Sequence, residues 1–124
     1  MTLTRKIVFA VDIAIARGIG RFDAAPPMHR VLWAAGVGVR PPHYAGFGRN
    51  ALLMGGFWGA WMAVFGAAYA LHLHPGGGAD IVVEPICIAL LAAVAYGLVM
   101  AAVFRSRARK ASLPSWDELA VPER

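Results

Sequence analysis

From Ala51 to Phe104 the chain contains no lysine and no arginine, and its only carboxylates in that stretch are Asp80 and Glu84. Over the whole sequence just 15% of residues are charged against 59% hydrophobic, too apolar a balance for an ordinary soluble domain. Cysteine is scarce as well. Cys87 stands alone, so no intrachain disulfide can form, and its default role is that of a small apolar side chain. The familiar catalytic signatures are missing: there is no Gly-x-Ser-x-Gly, no phosphate-binding glycine loop followed by Lys, and no pair of acids within an apolar run. Nothing here points to an enzyme. Ionisable groups of the kind that line proton or ion pathways are also absent from the apolar runs, which counts against a transporter acting alone.

What remains is two uncharged runs, Ala51 to Leu71 and Pro85 to Phe104. Each meets the roughly 20 residues that a helix rising about 1.5 Å per residue needs to cross about 30 Å of hydrocarbon. Two strands could not close a barrel and would leave backbone groups unpaired in lipid, so both runs are expected to be helices. The link between them holds Pro75-Gly76-Gly77-Gly78, which cannot sustain a helix and is too short to fold alone.

The basic residues set the orientation. Arg5, Lys6, Arg17, Arg21, Arg30, Arg40 and Arg49 precede the first run, and Arg105, Arg107, Arg109, Lys110 and Arg124 follow the second. The positive-inside rule then places both termini in the cytoplasm and the link outside, periplasmic if the membrane is a bacterial inner membrane. Juxtamembrane cations meet anionic head groups, so the basic balance argues for lipid and against nucleic acid as a partner.

The first third can be read in pieces. Leu3, Ile7, Ala10, Val11, Ala14 and Ile15 share one arc of a helix, with Arg5, Lys6, Asp12 and Arg17 opposite. Asp12 interrupts the apolar run and Arg17 closes it where a small-residue cleavage site would stand, so a cleaved signal is not expected. Gly18 and Gly20 should end this helix, whose apolar arc suits either the head-group layer or a protein partner. Pro26-Pro27 should start a second helix, Met28 to Ala35 can make two turns, and Gly36 can supply a left-handed stop. Trp33 then lies where an indole can sit at an interface, and Pro41-Pro42 delays the first span to Pro42 or later, with His43, Tyr44 and Phe47 on the approach. After the second run, Ser115-Trp116-Asp117-Glu118 reads as a capping box, with Trp116 and Leu119 as apolar contacts able to reach the Trp33 element.

The expected organisation is a cytoplasmic, interfacial amphipathic segment over 1–45, a transmembrane helix over 46–73, a short periplasmic link over 74–81, a second transmembrane helix over 82–105 and a basic cytoplasmic tail over 106–124. The fold class is an all-α membrane protein, a two-helix transmembrane hairpin with short cytoplasmic interfacial helices on its N-terminal side.

Several stretches carry a resemblance. Pro26-Pro27-Met28-His29-Arg30-Val31-Leu32-Trp33, Pro41-Pro42-His43-Tyr44, Asn50, Gly55-Gly56-Phe57-Trp58-Gly59-Ala60-Trp61-Met62 and Leu113-Pro114-Ser115-Trp116-Asp117 together resemble a bacterial family of small two-span inner-membrane proteins of unknown function. The likeness runs from Pro26 onward and implies the hairpin topology without implying an activity. The amino-terminal helix departs from the pattern in being more apolar than the charged one the family leads one to expect.

Within the spans, Gly55, Gly59, Ala63 and Gly66 on the first and Gly97 and Ala101 on the second form small-residue faces for close helix packing, first of all against each other. Phe57, Trp58 and Trp61 belong on other faces, and with Trp33, His43, Tyr44 and Trp116 they form the candidate partner-facing set. In the link, His72 and His74 with Asp80 and Glu84 are metal-ligand types, but two histidines two apart on a helix point about 200° away from each other, and the spacing matches no metal signature. No cofactor is expected.

Three functional readings follow. The leading one is a non-catalytic accessory subunit of a larger inner-membrane complex, such as a respiratory or photosynthetic one. A self-assembling pore or small transporter built as a homo-oligomer is the second, and a metal-binding membrane protein using His72 and His74 is the third.

Overall fold

Every regular element in residues 3–120, the range described by the computed structural model, is helical. The five α-helices are α1 (Leu3–Ala16), α2 (Arg21–Ala24), α3 (Pro27–Ala34), α4 (Phe47–Leu73) and α5 (Val83–Lys110), and single 3-10 turns occupy Pro42–Tyr44, Ala79–Val82 and Trp116–Glu118. The chain divides into two compact units. One comprises the residues up to Gly46 and from Val103 onward; the other is Phe47–Ala102, and α5 runs through the boundary.

Three helices in the first unit stop by the same device. At the end of α1 the Gly18 amide donates to the Ile15 carbonyl and the Ile19 amide to the Ala14 carbonyl, with Gly18 left-handed at φ 93°. That is a Schellman motif, and Ile19 and Ala14 are both buried, which supplies its usual apolar contact. α3 repeats it with Gly36 at φ 85° and the Val37 amide donating to Leu32. α5 repeats it again with Leu113 donating to Ala108, but there the left-handed residue is Ser112, at φ 52°. The stretch Ser106 to Lys110, expected to form the start of the tail, is therefore the last turns of α5. Charge ends an apolar run without ending a helix.

Around these stops the unit builds a core. Ile7, Ala10 and Ala14 from α1 pack with Ile19, Ala24, Tyr44, Trp116 and Leu119. Ile7, Ala10 and Ala14 of the amino-terminal helix's apolar arc are thus covered by this chain's own residues, Val11 and Ile15 partly so, while Leu3 is exposed. Tyr44 donates from its hydroxyl to the Ala10 carbonyl at 2.8 Å, which locks the Pro42–Tyr44 turn onto α1. Pro41 and Pro42 are themselves fully buried. The Trp33 indole donates to the Val39 carbonyl at 2.8 Å and so closes the turn around Gly36.

The second unit is a helical hairpin. α4 is 27 residues and α5 28, each about 40 Å long at helical rise. α4 ends at Leu73 just before Pro75, and the chain reverses through the glycines and the Ala79–Val82 turn. Pro85 falls in the first turn of α5, where its missing amide has no intrahelical partner to lose.

Candidate functional site

Within the hairpin the small residues set how closely the backbones approach. A Cβ built on Gly55 would lie 2.5 Å from the Ala93 carbonyl oxygen and 3.3 Å from the Gly97 Cα, and one on Gly59 would lie 2.5 Å from the Ala93 Cβ. Gly97 in turn abuts the Ala51 carbonyl. Gly55, Gly59, Gly97 and Ala101 are buried, and Ala63 and Gly66 half-buried. Toward the link the contact loosens: a Cβ on Gly66 would sit 3.1 Å from the Pro85 Cβ, and an open apolar cleft of about 1090 Å³ lies among Met62, Tyr69, Leu73, Ile81, Pro85 and Ile88.

Most large side chains of the hairpin are exposed, Met54 being buried. Phe57 and Trp61 meet edge to face with centroids 6.4 Å apart, Trp61 stacks on Phe65 at 5.2 Å, and Trp58 tilts against Tyr96 at 5.6 Å. The α4 members of this ladder are exposed, Trp58 and Trp61 by 47% and 46%, and Tyr96 is half-buried. Leu52, Val64, Phe65, Leu90, Leu91 and Val94 are each more than 60% exposed. His72 and His74 are exposed, and among the described residues no group of three His, Cys, Asp or Glu side chains is gathered as metal ligands would be.

The other four aromatic or histidine positions singled out in the sequence lie in the first unit and are not exposed like this. Tyr44, His43 and Trp116 are buried and Trp33 half-buried, so the surfaces that cover them belong at least in part to this chain. Tyr44 and Trp116 meet edge to face at 6.2 Å, and Lys6 and Arg40 stand over the Trp116 ring at 4.7 and 5.6 Å, within cation–π range. Burial pushes the Tyr44 phenol up to about 12, with the Arg17 charge opposing. In the turn after Leu113, the Ser115 amide donates to the Glu118 carboxylate at 3.0 Å as one half of a capping box, and this bond holds the carboxyl below its usual range.

Two histidines form the unusual feature of this unit. His29, on α3, is fully buried and His43 nearly so, and none of their four ring nitrogens has a hydrogen-bond partner among the described residues. Aromatic edges surround them: His29 meets Trp33 at 6.0 Å, and His43 meets Phe104 at 5.2 Å. Desolvation lowers both imidazoles to about 4, and for His43 the Arg107 charge adds to that lowering while Asp23 opposes it. Both are therefore neutral at physiological pH. The spacing of His29 and His43 in sequence gave no sign of this shared burial.

Near them, charged side chains converge from distant segments. Arg107 on α5 pairs with Asp23 on α2 at 2.9 Å. Arg17 donates from Nη1 to the Ala111 carbonyl at 3.3 Å and to the Ser112 carbonyl, so a cation caps the carboxyl end of α5 where the helix dipole favours one. Between them lies a pocket of about 350 Å³, walled by Arg17, the Gly18–Gly20 turn, Asp23, Arg107 and Lys110. In the sequence these cations register only as flanking charge; the long-range fold is what brings residues more than 80 positions apart together.

No curated protein and no solved structure gives a significant match to the chain. A family match covers residues 1–119, nearly the whole length, and by it the chain belongs to the Family of unknown function (DUF6404).

Proposed function

We propose that this chain is a non-catalytic membrane hairpin that serves as an accessory subunit of a larger assembly in the bacterial inner membrane, with both termini cytoplasmic. The observation that carries the reading is the bare surface of the two long helices. Both are long and apolar enough to cross a membrane, and only 17% of each apolar window is buried within the molecule. A core helix of a soluble protein would be mostly covered. Leu52, Val64, Phe65, Leu90, Leu91 and Val94, each more than 60% exposed, would alone forgo roughly 6–12 kcal/mol if left in water, comparable to the entire stability of a typical domain. Lipid or a partner helix has to cover them.

The aromatic ladder favours a protein partner for part of that surface. Trp58, Trp61 and Phe65 lie along one helix, about one to two turns apart, and present wide, stiff rings at low entropic cost. Extraction in mild detergent followed by native gel electrophoresis should show the chain migrating far above the mass of a dimer, with co-purifying membrane proteins identifiable by mass spectrometry. Migration as a free monomer would remove the accessory-subunit reading, and a pure homo-oligomer that conducts solute in liposomes would replace it. Reporter fusions at the two ends should both signal from the cytoplasm.

A further inference from the structure

We infer that the pocket between the Gly18–Gly20 turn and the end of α5 is a binding site for an anionic phosphate group. Three cations face it, Arg17, Arg107 and Lys110, against one carboxylate, Asp23. Arg17 comes from the end of α1 and Arg107 and Lys110 from the last turns of α5, so the fold itself brings the charge together. Two of the three are held in place: both bonds of Arg17 to the α5 terminus use Nη1, and Arg107 is anchored on Asp23 through its own Nη1. A guanidinium has five N–H donors, so each arginine keeps donors for a ligand after these contacts. Lys110 has no acidic partner among the described residues. Gly18 is left-handed, and a Cβ there would meet nothing within 4 Å, so the backbone conformation calls for glycine and the wall stays low.

A phosphate is the anion such a site suits. Its tetrahedral oxygens can accept from two guanidinium forks and an ammonium at once, whereas a carboxylate offers a single plane. The depth matches as well. Phe104 is the last residue of the apolar run, and at about 1.5 Å per residue Arg107 and Lys110 lie about 5 and 9 Å further along α5. A head-group layer adds about 5–8 Å beyond the hydrocarbon on each side. If the chain spans the membrane as proposed above, the pocket stands at the level of lipid phosphodiesters. Soluble phosphate offers the same chemistry from the other side.

The test uses the full chain purified in detergent, as wild type, Lys110→Gln and Asp23→Asn. Native mass spectrometry after exchange into phosphatidylglycerol or phosphatidylcholine reads lipid retention, and a thermal melt with inorganic phosphate reads the soluble arm. Selective retention of one phosphatidylglycerol is expected, weakened about fivefold by Lys110→Gln and strengthened by a similar factor by Asp23→Asn, as one charge near a membrane surface implies. Lys110 is exposed and Asp23 half-exposed, and an asparagine at 23 keeps a side-chain oxygen that can accept from Arg107, so both changes leave the fold and the arginine's position intact. A melt raised by inorganic phosphate in the wild type and not in Lys110→Gln, without lipid selectivity, would assign the pocket to a soluble phosphate. Equal retention of both lipids together with a melt that ignores phosphate, or indifference of every readout to both substitutions, would overturn the inference. Extraction of the native membranes with alkaline carbonate separates the two proposals. If the chain stays with the pellet and the pocket binds nothing, only the pocket fails; if it is released, the membrane reading fails and the inorganic-phosphate arm alone decides the pocket.

Discussion

The two units of this molecule distribute most of their large side chains in opposite ways, Phe22 and Val31 of the first being exposed and Met54 of the second buried. In the first, the large side chains Tyr44, Phe104, Trp116 and the two histidines are inside, and Arg17, Asp23, Arg105 and Arg107 are outside or half-exposed. In the hairpin the buried positions on α4 and α5 include Gly55, Gly59, Ala89 and Gly97, while Phe57, Trp58, Trp61, Phe65, Leu90 and Leu91 face outward. A fold stabilised by excluding water hides its largest apolar groups, because each fully buried one contributes roughly 1.5–3 kcal/mol. Where the surroundings are as apolar as leucine, that gain vanishes, and close backbone approach between small residues becomes the main source of attraction. On the proposed membrane reading, the contrast is that of two solvents for one chain.

Aromatic truncation should break the symmetry between the units most strongly. Trp116→Ala removes a buried ring that touches Tyr44, Lys6 and Arg40 and should cost about 3–5 kcal/mol in the first unit, measured as loss of the cooperative melt followed by circular dichroism. Trp61→Ala deletes the same mass from an exposed ladder and should change the melt of the purified chain by less than about 0.5 kcal/mol. Its effect should instead appear as a weaker association with the larger assembly on native gels. If the two variants destabilise the purified chain equally, the assignment of two solvents is wrong.

Acid should also act on one unit alone. His29 and His43 are held near 4 in the folded chain against 6.5 unfolded. The unfolded chain binds more protons between those values, so the stability associated with neutral imidazoles is complete above about 6.5 and is lost as pH falls toward 4. The slope approaches about 1.4 kcal/mol per pH unit for each histidine. Hydrogen exchange at pH 7 and pH 5 should show the amides of α1 and α3 opening at the lower pH while those of the hairpin stay protected. His29→Leu, which keeps the volume and cannot take up a proton, should roughly halve the slope.

Replacing Gly55 by Val tests the hairpin's own packing. Its Cβ would press on the Ala93 carbonyl at 2.5 Å, a backbone atom that cannot turn aside, and the helices must separate. A loss of about 1–3 kcal/mol is expected, seen as a lowered midpoint of unfolding in mixed detergent micelles. Gly56→Val, one residue on, meets nothing within 4 Å and should be close to neutral.

How much of this could be read from the sequence differs between the units for a physical reason. The ends of α1 and α3 were legible because Gly18 and Gly36 are the residues that reach a left-handed φ without strain, and the hairpin was legible because hydrocarbon imposes a length and excludes charge. The Ser115 and Glu118 pairing was legible from a three-residue spacing. α2, four residues without a side-chain cap, left no periodic trace. The contacts of Arg17 with the end of α5 and of Asp23 with Arg107 join positions that no local pattern connects. For the same reason Tyr44 and Trp116 could be grouped with Trp58 and Trp61: composition marks an aromatic as an anchor, and only the tertiary fold tells whether the surface it grips is in the same chain.

The smallest effect comes from the one helix stop that the sequence disguised. Ser112 adopts φ 52° to close the α5 Schellman motif, a conformation in which its Cβ crowds the backbone and which glycine takes at no such cost. Ser112→Gly should therefore stabilise the first unit, by about 0.5–1 kcal/mol less the entropy glycine adds to the unfolded chain. The Ser112 side chain is exposed and the motif uses its backbone amide and carbonyl, which glycine retains, including the carbonyl that accepts from Arg17. Ser112→Ala keeps the Cβ and should gain nothing, so the difference between the two variants in a thermal melt isolates the left-handed strain. A gain from alanine equal to that from glycine would mean that the serine hydroxyl, and not the backbone angle, is what the end of α5 resists.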